Sequence, residues 1–180
     1  MTTVAAPTFC DRLYAAALPI WERQLQHPFV VALGDGTLPR ENFEFYIRQD
    51  ARYLDDFAKT FAYAATRTSD HDEMQLFGER LVHTIAVEKA LHQEYAVSFG
   101  VSVAEMIATP MAPTNFAYTR HLLTVAATDT LAANLAAILP CAWVYAWVGE
   151  HFSRRFGDRR PPRTPTRTGS PCTVRRSSRR

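Results

Sequence analysis

The sequence predicts an all-α protein built as a bundle of five major helices. Apolar side chains recur at the three- and four-residue spacing of a helix through five long stretches. Residues that favour helix starts and ends lie near the limits of these stretches. Strand-like alternation bounded by hairpin signals does not occur in the sequence. The 180 residues and 47% hydrophobic content suit one well-cored domain.

Start and stop signals place the elements along the chain. The first helix should bend at Pro19, because proline cannot donate a helical hydrogen bond. The turn Gly34-Asp35-Gly36 offers two positions free to take positive φ, and Gly100 should end the third long helix. The expected helices cover residues 7–26, 39–66, 69–99, 114–127 and 130–156, with short helices near 29–33 and 103–107. The expected starting or capping residues are Thr37, Ser69, Ser102, Thr114 and either Asp129 or Thr130.

The last of these helices contains an uncharged run from Thr130 to Gly149. A helix that is apolar on every face usually lies in the middle of a bundle. The run is long enough to span a bilayer, but it is rich in alanine and carries Asn134 and Pro140, so we expect no membrane insertion. Cys141 lies beside that proline, and a cysteine there is either an ordinary buried side chain or a wall of a catalytic site.

Two inward-facing acids stand out in the second and third long helices. Asp50 falls on an apolar stripe, where an acid is costly unless it is hydrogen-bonded, so it is either a structural hub or a ligand-binding group. Glu88 and His92 lie one turn apart on the inward face of the next helix. They are either a hydrogen-bonded structural pair or a functional pair that binds a metal or acts in acid/base chemistry. A structural pair is favoured, so the sequence predicts no metal and no cofactor.

Charge is distributed unevenly along the chain. Residues 1–158 hold all 18 acidic side chains and 12 basic ones, a formal charge of −6, whereas residues 159–180 carry eight arginines. No nucleic-acid partner is therefore expected for the domain itself. The Arg- and Pro-rich segment 159–180 should be disordered, and it is either a basic tail for nucleic acid or acidic membrane or the product of a shifted reading frame. Three cysteines suit the reducing cytoplasm.

Five motifs stand in order along the chain. They are Gly34-Asp-Gly-Thr-Leu-Pro39, Tyr46-Ile-Arg-Gln-Asp50-Ala-Arg-Tyr53-Leu, Glu88-Lys-Ala-Leu-His92, Pro113-Thr-Asn-Phe-Ala-Tyr118 and Leu139-Pro-Cys141-Ala-Trp-Val-Tyr145. In this order and spacing they resemble the TenA / thiaminase II family. The resemblance implies a haem-oxygenase-like helical bundle, usually a homotetramer, that needs no cofactor. It also implies a hydrolase of thiamin salvage that converts aminomethylpyrimidine, or thiamin, to hydroxymethylpyrimidine.

Carried over position by position, the resemblance assigns roles to five residues. Cys141 matches the nucleophile of the family subgroup that has cysteine at this position, and Asp50 matches the acid that binds the aminopyrimidine. Tyr53, Tyr118 and Tyr145 match side chains that line the pocket or steer the thiol. The implied mechanism is addition of the thiol to the pyrimidine, expulsion of the amine, and attack by water.

The resemblance stops near Asp158. Family members continue with helices that close the bundle and supply a tyrosine and a proton-shuttling glutamate. The resemblance therefore implies an incomplete domain over residues 1–158, followed by a disordered, frameshifted tail over residues 159–180. It also implies impaired hydrolysis, because the proton-shuttling glutamate is missing. The alternatives are a non-catalytic pyrimidine-binding or regulatory protein and the metal-dependent oxygenase.

Overall fold

The computed structural model describes residues 6–156, apart from the side chains of Glu88 and Phe156. These residues form seven α-helices, which confirms the all-α prediction. The predicted tail 159–180 lies outside the described residues. In chain order the helices are α1 (Phe9–Gln24), α2 (Pro28–Asp35), α3 (Arg40–Ala65), α4 (His71–Phe99), α5 (Val103–Ile107), α6 (Pro113–Thr128) and α7 (Leu131–Phe156).

Three of the predicted helix signals are confirmed. Ser102 and Glu105 form a reciprocal capping box at the start of α5. Thr130 Oγ1 accepts a hydrogen bond from the Ala133 amide at 3.2 Å at the start of α7. Gly100 ends α4 in the left-handed conformation, with φ of 71°.

Three other predicted caps are wrong by one or two residues. The N-cap of α3 is Pro39 rather than Thr37, and that of α4 is Asp70 rather than Ser69, because the Asp70 carboxylate accepts from two amides of the first turn. The N-cap of α6 is Ala112, which makes no side-chain capping bond, and Thr114 lies inside the helix.

The glycine turn after α2 also differs from the prediction. Only Gly36 takes positive φ, at 80°. Gly34 lies within α2, where a Cβ would come within 2.8 Å of the Phe152 ring. Glycine is therefore needed at position 34 for a close approach and at position 36 for the left-handed conformation.

The chain divides into two compact units. The first comprises residues up to Leu38 and residues from Val144 onward. Its buried aromatic side chain is Trp21, whose ring lies 5.8 Å from that of Trp147. Trp147 Nε1 donates a 3.1 Å hydrogen bond to Tyr14 Oη, so both ends of this unit are joined through aromatic residues. The single predicted domain over residues 1–158 stays a prediction.

The second unit comprises Pro39–Trp143. Here α3 packs mainly against α4 and α6. One buried cluster joins α3, α6 and the first half of α7, and its members are Tyr53, Phe57, Leu122 and Ile138. A second set of aromatic contacts joins α3 to the end of α4 through Phe43, Tyr95 and Phe99.

The inward face predicted for α4 is buried only in part. Phe77, His92 and Tyr95 are buried as expected. Met74 and Ile85 are 41% and 38% exposed, because no described side chain covers that end of the helix sufficiently to bury them. The burial expected for Met74 and Ile85 is therefore wrong, whereas that expected for Phe77 is confirmed.

One helix, Leu131–Arg155, is long and apolar enough to cross a membrane by length and composition alone. Core helices of soluble proteins can pass the same test. The expectation that this chain has no membrane partner stays a prediction.

Candidate active site

Cys141 lies in the first half of α7, directly after Pro140. Its side chain is partly buried and packs against the cluster of Tyr53, Phe57, Leu122 and Ile138. The cysteine therefore belongs to the interior of the second unit, where α3, α6 and α7 meet.

Two of the predicted tyrosines form one wall beside this cysteine. The rings of Tyr53 on α3 and Tyr118 on α6 stack with 5.6 Å between centroids and 5° between planes. Tyr53 is 9% exposed and Tyr118 is 38% exposed, so the pair runs from the interior towards solvent. Parallel aromatic rings at this separation are an ordinary offset stack.

The Tyr53 hydroxyl is buried and has no hydrogen-bond partner among the described residues. An unsatisfied buried hydroxyl costs roughly 1–3 kcal/mol. The sequence gives this position a tyrosine where phenylalanine would avoid that cost. Such a group is a candidate ligand-binding atom, since a bound polar molecule would complete its hydrogen bonding.

Asp50 lies on α3 one turn before Tyr53. Burial raises the pKa of the Asp50 carboxyl to about 6, because the ionised form loses hydration there. The charge of Asp50 also raises the pKa of the Cys141 thiol. The structure thus brings four predicted site residues together in one unit: Asp50, Tyr53, Tyr118 and Cys141.

The pKa of Cys141 is raised above that of an ordinary thiol. Burial is the largest cause, and the Asp50 charge adds to it. The Tyr53 hydroxyl, which approaches the thiol without completing a hydrogen bond, lowers this pKa by a smaller amount. The thiol is therefore predominantly protonated at neutral pH, and nucleophilic chemistry at Cys141 requires a group that accepts its proton.

Tyr145, the fifth predicted residue, follows Cys141 by four residues in α7 and falls within the first unit. Its side chain is 54% exposed. The substrate-binding role assigned to it stays a prediction.

The alternative metal site at Glu88 and His92 remains untested. His92 is buried, and burial lowers its pKa, although the Asp55 charge acts in the opposite direction. The side chain of Glu88 lies outside those that the structure describes. Among the side chains that are described, no group of three or more His, Cys, Asp or Glu residues could hold a metal ion.

A buried polar row on α3 escaped the sequence analysis. Gln49, Asp56 and Thr60 are 9%, 4% and 0% exposed. With Tyr53 they recur at helical spacing beside the apolar stripe. The side chains of Gln49 and Asp56 bind residues of α6, and the backbone carbonyl of Thr60 accepts from Asn134 of α7. Asp56 binds Arg120 of α6 and Lys59 of its own helix. Polar residues at core spacing were the signal that could have identified this row.

An open groove lies along the outer side of this α3–α6 contact. It holds the Asp56 ion pairs, and none of the five predicted site residues lines it. Its lining residues are Arg52, Asp55, Asp56, Lys59, Met111, Phe116, Arg120 and Leu123. The groove and the Cys141 cluster are therefore separate features of the second unit.

Comparison with known proteins gives one consistent result. Residues 14–164 match the TENA/THI-4/PQQC family. The chain is 41% identical over 138 residues to an aminopyrimidine aminohydrolase of Halalkalibacterium halodurans, covering 77% of this chain and 62% of that protein. It is 37% identical over 137 residues to the aminopyrimidine aminohydrolase of Bacillus subtilis, covering 76% of this chain and 58% of that protein.

Solved structures agree with the sequence comparisons. A TenA homologue from P. horikoshii has a TM-score of 0.80 and 29% identity, covering 88% of this chain and 73% of that one. The chain spans less than two thirds of the length of the two aminohydrolases that it matches.

Proposed function

Because the chain belongs to the TENA/THI-4/PQQC family, we propose that its second unit carries the site of an aminopyrimidine hydrolase of thiamin salvage. The observation that carries this proposal is the grouping of a partly buried thiol, a carboxyl of raised pKa and an unsatisfied tyrosine hydroxyl. Carboxyl and hydroxyl groups complement the amino group and ring nitrogens of an aminopyrimidine. The stacked tyrosines supply a flat apolar wall for the ring.

In the proposed reaction Asp50 and Tyr53 bind and orient the pyrimidine. A carboxyl with a pKa of about 6 accepts a hydrogen bond from the amino group when ionised and donates one to a ring nitrogen when protonated. The first arrangement binds and orients the ring, and the second also draws electron density from the ring and so favours attack by a nucleophile. Burial strengthens these interactions, because little water competes for them.

Cys141 is the proposed nucleophile. Its sulfur forms a bond to the pyrimidine, the bond to the exocyclic amine breaks, and the amine leaves as ammonia with the thiol proton. Water then displaces the sulfur, which leaves a hydroxyl group on the product and restores the thiol. The raised pKa of Cys141 makes removal of the thiol proton the demanding step.

A second candidate function is pyrimidine binding without catalysis. The raised pKa of Cys141 favours it, since a protonated thiol is a weak nucleophile. The two functions differ in one observable. A hydrolase forms hydroxymethylpyrimidine and ammonia in amounts that exceed the protein, whereas a binding protein holds the aminopyrimidine unchanged.

The proposal extends to assembly and location. Family resemblance supports a homotetramer, and the exposure of Val82 and Val97 on α4, at 67% and 83%, supports contact with another surface. The expected location is the cytoplasm. Light scattering of the purified 180-residue protein tests the assembly, and recovery without detergent tests the location.

The experiment for the proposed function is titration of the protein with 4-amino-5-aminomethyl-2-methylpyrimidine, followed by measurement of released ammonia. Binding with release of ammonia supports the hydrolase. Binding without ammonia release supports the second candidate. If the protein neither binds the pyrimidine nor releases ammonia, both candidate functions are wrong.

A further inference from the structure

Gln49 makes a set of hydrogen bonds that no site assignment explains. Its side chain is buried on α3, next to Asp50. Gln49 Oε1 accepts from the Ala112 amide at 2.8 Å and from Asn115 Nδ2 at 3.1 Å. Gln49 Nε2 donates to the Pro110 carbonyl at 3.0 Å. An amide N–H can only donate here and a carbonyl can only accept, so these partners fix the orientation of the Gln49 amide.

The backbone of Gln49 joins the same network. Asn115 Nδ2 also donates to the Gln49 carbonyl oxygen at 2.8 Å. One residue of α3 therefore binds both the segment that precedes α6 and the first turn of α6. All partners of this network lie in the second unit.

One of these bonds satisfies a backbone amide at the start of α6. The N-cap residue Ala112 has no side chain able to accept a hydrogen bond from the first turn, and Pro113 occupies the first helical position. The Ala112 amide itself donates to Gln49 of a neighbouring helix. A tertiary contact therefore holds the start of α6 in addition to Pro113.

The network lies one helical turn from the stacked tyrosines. Gln49 precedes Tyr53 by four residues on α3, and Asn115 precedes Tyr118 by three residues on α6. The Gln49–Asn115 contact and the Tyr53–Tyr118 stack are therefore successive layers of one interface between the two helices. A shift at the first layer changes the separation at the second.

From this placement we infer that Gln49 is a positioning residue, which with Asn115 sets the approach of Tyr118 to Tyr53 and so shapes the pyrimidine site. The inference rests on the proposed function for its catalytic consequence. Displacing a binding wall by about 1 Å is expected to cost up to about a hundredfold in catalytic efficiency. Gln49 acts through the two tyrosines and makes no contact with substrate in this scheme.

The test compares three variants of the full chain in a Cys10→Ser, Cys172→Ser background. Gln49→Leu removes every hydrogen bond made by the Gln49 side chain and keeps a side chain of similar size. Gln49→Glu keeps the acceptor oxygen for Ala112 and Asn115 and loses the donor to Pro110. Gln75→Leu makes the same chemical change at an exposed position of α4 and is the matched control. The melting temperature of each variant shows the temperatures at which it is folded.

Two measurements are made below those melting temperatures. The first is the KM and kcat for 4-amino-5-aminomethyl-2-methylpyrimidine. The second is the rate at which iodoacetamide alkylates Cys141, which needs no enzymatic activity. For Gln49→Leu we expect KM to rise about tenfold, with a smaller change in kcat, and alkylation to quicken severalfold as the α3–α6 contact loosens. Gln49→Glu should recover much of both changes, and Gln75→Leu should show neither.

The outcomes separate this inference from the proposed function. If Gln49→Leu retains the parental KM and alkylation rate, the positioning role is wrong, even where the parent hydrolyses the pyrimidine through Cys141. If the parent neither binds nor hydrolyses the pyrimidine, the proposed function is wrong. In that case alkylation decides the positioning role: a faster rate in Gln49→Leu with recovery in Gln49→Glu upholds it, and an unchanged rate overturns it.

Discussion

Tyr53 and Tyr118 stack almost parallel, with 5° between their planes and 5.6 Å between ring centroids, although 65 positions separate them in the sequence. The stack links α3 to α6 beside the Cys141 side chain, and only its Tyr118 end is substantially exposed. Substitutions in this wall, at the acid and thiol beside it and in the α3–α6 ion pair complement the tests of Gln49.

Replacement of Tyr118 by leucine should weaken substrate binding more than it weakens the fold. The variant loses an aromatic stack worth about 0.5–1.5 kcal/mol, but the side chain is partly exposed, so the cost in stability stays within that range. We expect KM for the aminopyrimidine to rise about tenfold, which corresponds to 1.4 kcal/mol. Tyr63→Leu, at a similarly exposed tyrosine of α3, should leave KM unchanged.

Tyr53→Phe should stabilise the protein while impairing the site. Removing a buried hydroxyl without a partner is expected to raise the free energy of unfolding by about 1 kcal/mol, measured by urea denaturation. The same change removes the group that lowers the pKa of Cys141, so the alkylation profile should move to higher pH. Tyr63→Phe is the control. A lower stability of Tyr53→Phe would show that the hydroxyl is satisfied in solution.

Asp50→Asn should stabilise the fold at neutral pH but have no such effect in acid. The pKa of Asp50 is raised to about 6 from 3.8, so the stability linked to its protonation is present below pH 3.8 and is lost as pH rises through 6. The gain from asparagine should therefore appear between pH 4 and 7 and reach at most about 3 kcal/mol. Melting temperatures across this range test it, with Asp129→Asn as the control.

Asp50→Asn should shift the pKa of the Cys141 thiol in the opposite direction to Tyr53→Phe. Loss of the Asp50 charge lowers the pKa of Cys141, so alkylation should begin at lower pH than in the parent. Shifts in the same direction for Asp50→Asn and Tyr53→Phe would contradict the electrostatic description of the site.

Arg120→Met should destabilise the α3–α6 contact. Asp56 is 4% exposed, and burial raises its pKa, but Lys59, Arg120 and the Thr119 hydroxyl together outweigh this and leave the pKa lowered. Loss of Arg120 leaves the buried carboxylate with Lys59 and Thr119, at an expected cost of about 1–2 kcal/mol at pH 7. The lowered pKa means that this stability is present above the ordinary pKa of aspartate and is lost as pH falls, so the difference should shrink towards pH 3. Arg80→Met, at an exposed position of α4, is the control.

The apolar row of α3 could be predicted from the sequence, whereas its polar row could not. Phe43, Ile47 and Phe57 recur at helical spacing and are buried as that pattern requires. Gln49 and Asp56 are buried only because α6 supplies their partners from more than sixty positions away. A pattern of hydrophobicity within one helix contains no information about such partners.

Helix caps show the same limit. Ser102 and Thr130 act locally, so the sequence identifies them. The start of α6 was placed wrongly at Thr114, because the N-cap is Ala112, whose amide donates to Gln49 of another helix. Cys141 and Asp50 were identified as site candidates by family resemblance and an unusual acid on an apolar stripe, and their roles stay predictions.

The most direct measurement of the central claim is ammonia release from 4-amino-5-aminomethyl-2-methylpyrimidine by the 180-residue protein and by its Cys141→Ala variant. The aminopyrimidine aminohydrolase of Bacillus subtilis serves as the positive control for the assay. We predict that the parent releases ammonia over repeated turnovers but much more slowly than the Bacillus subtilis enzyme, in keeping with the impaired hydrolysis expected from its sequence. The variant should release none above the uncatalysed rate while still binding the pyrimidine. Equal release by the parent and the variant would contradict the assignment of Cys141 as the nucleophile.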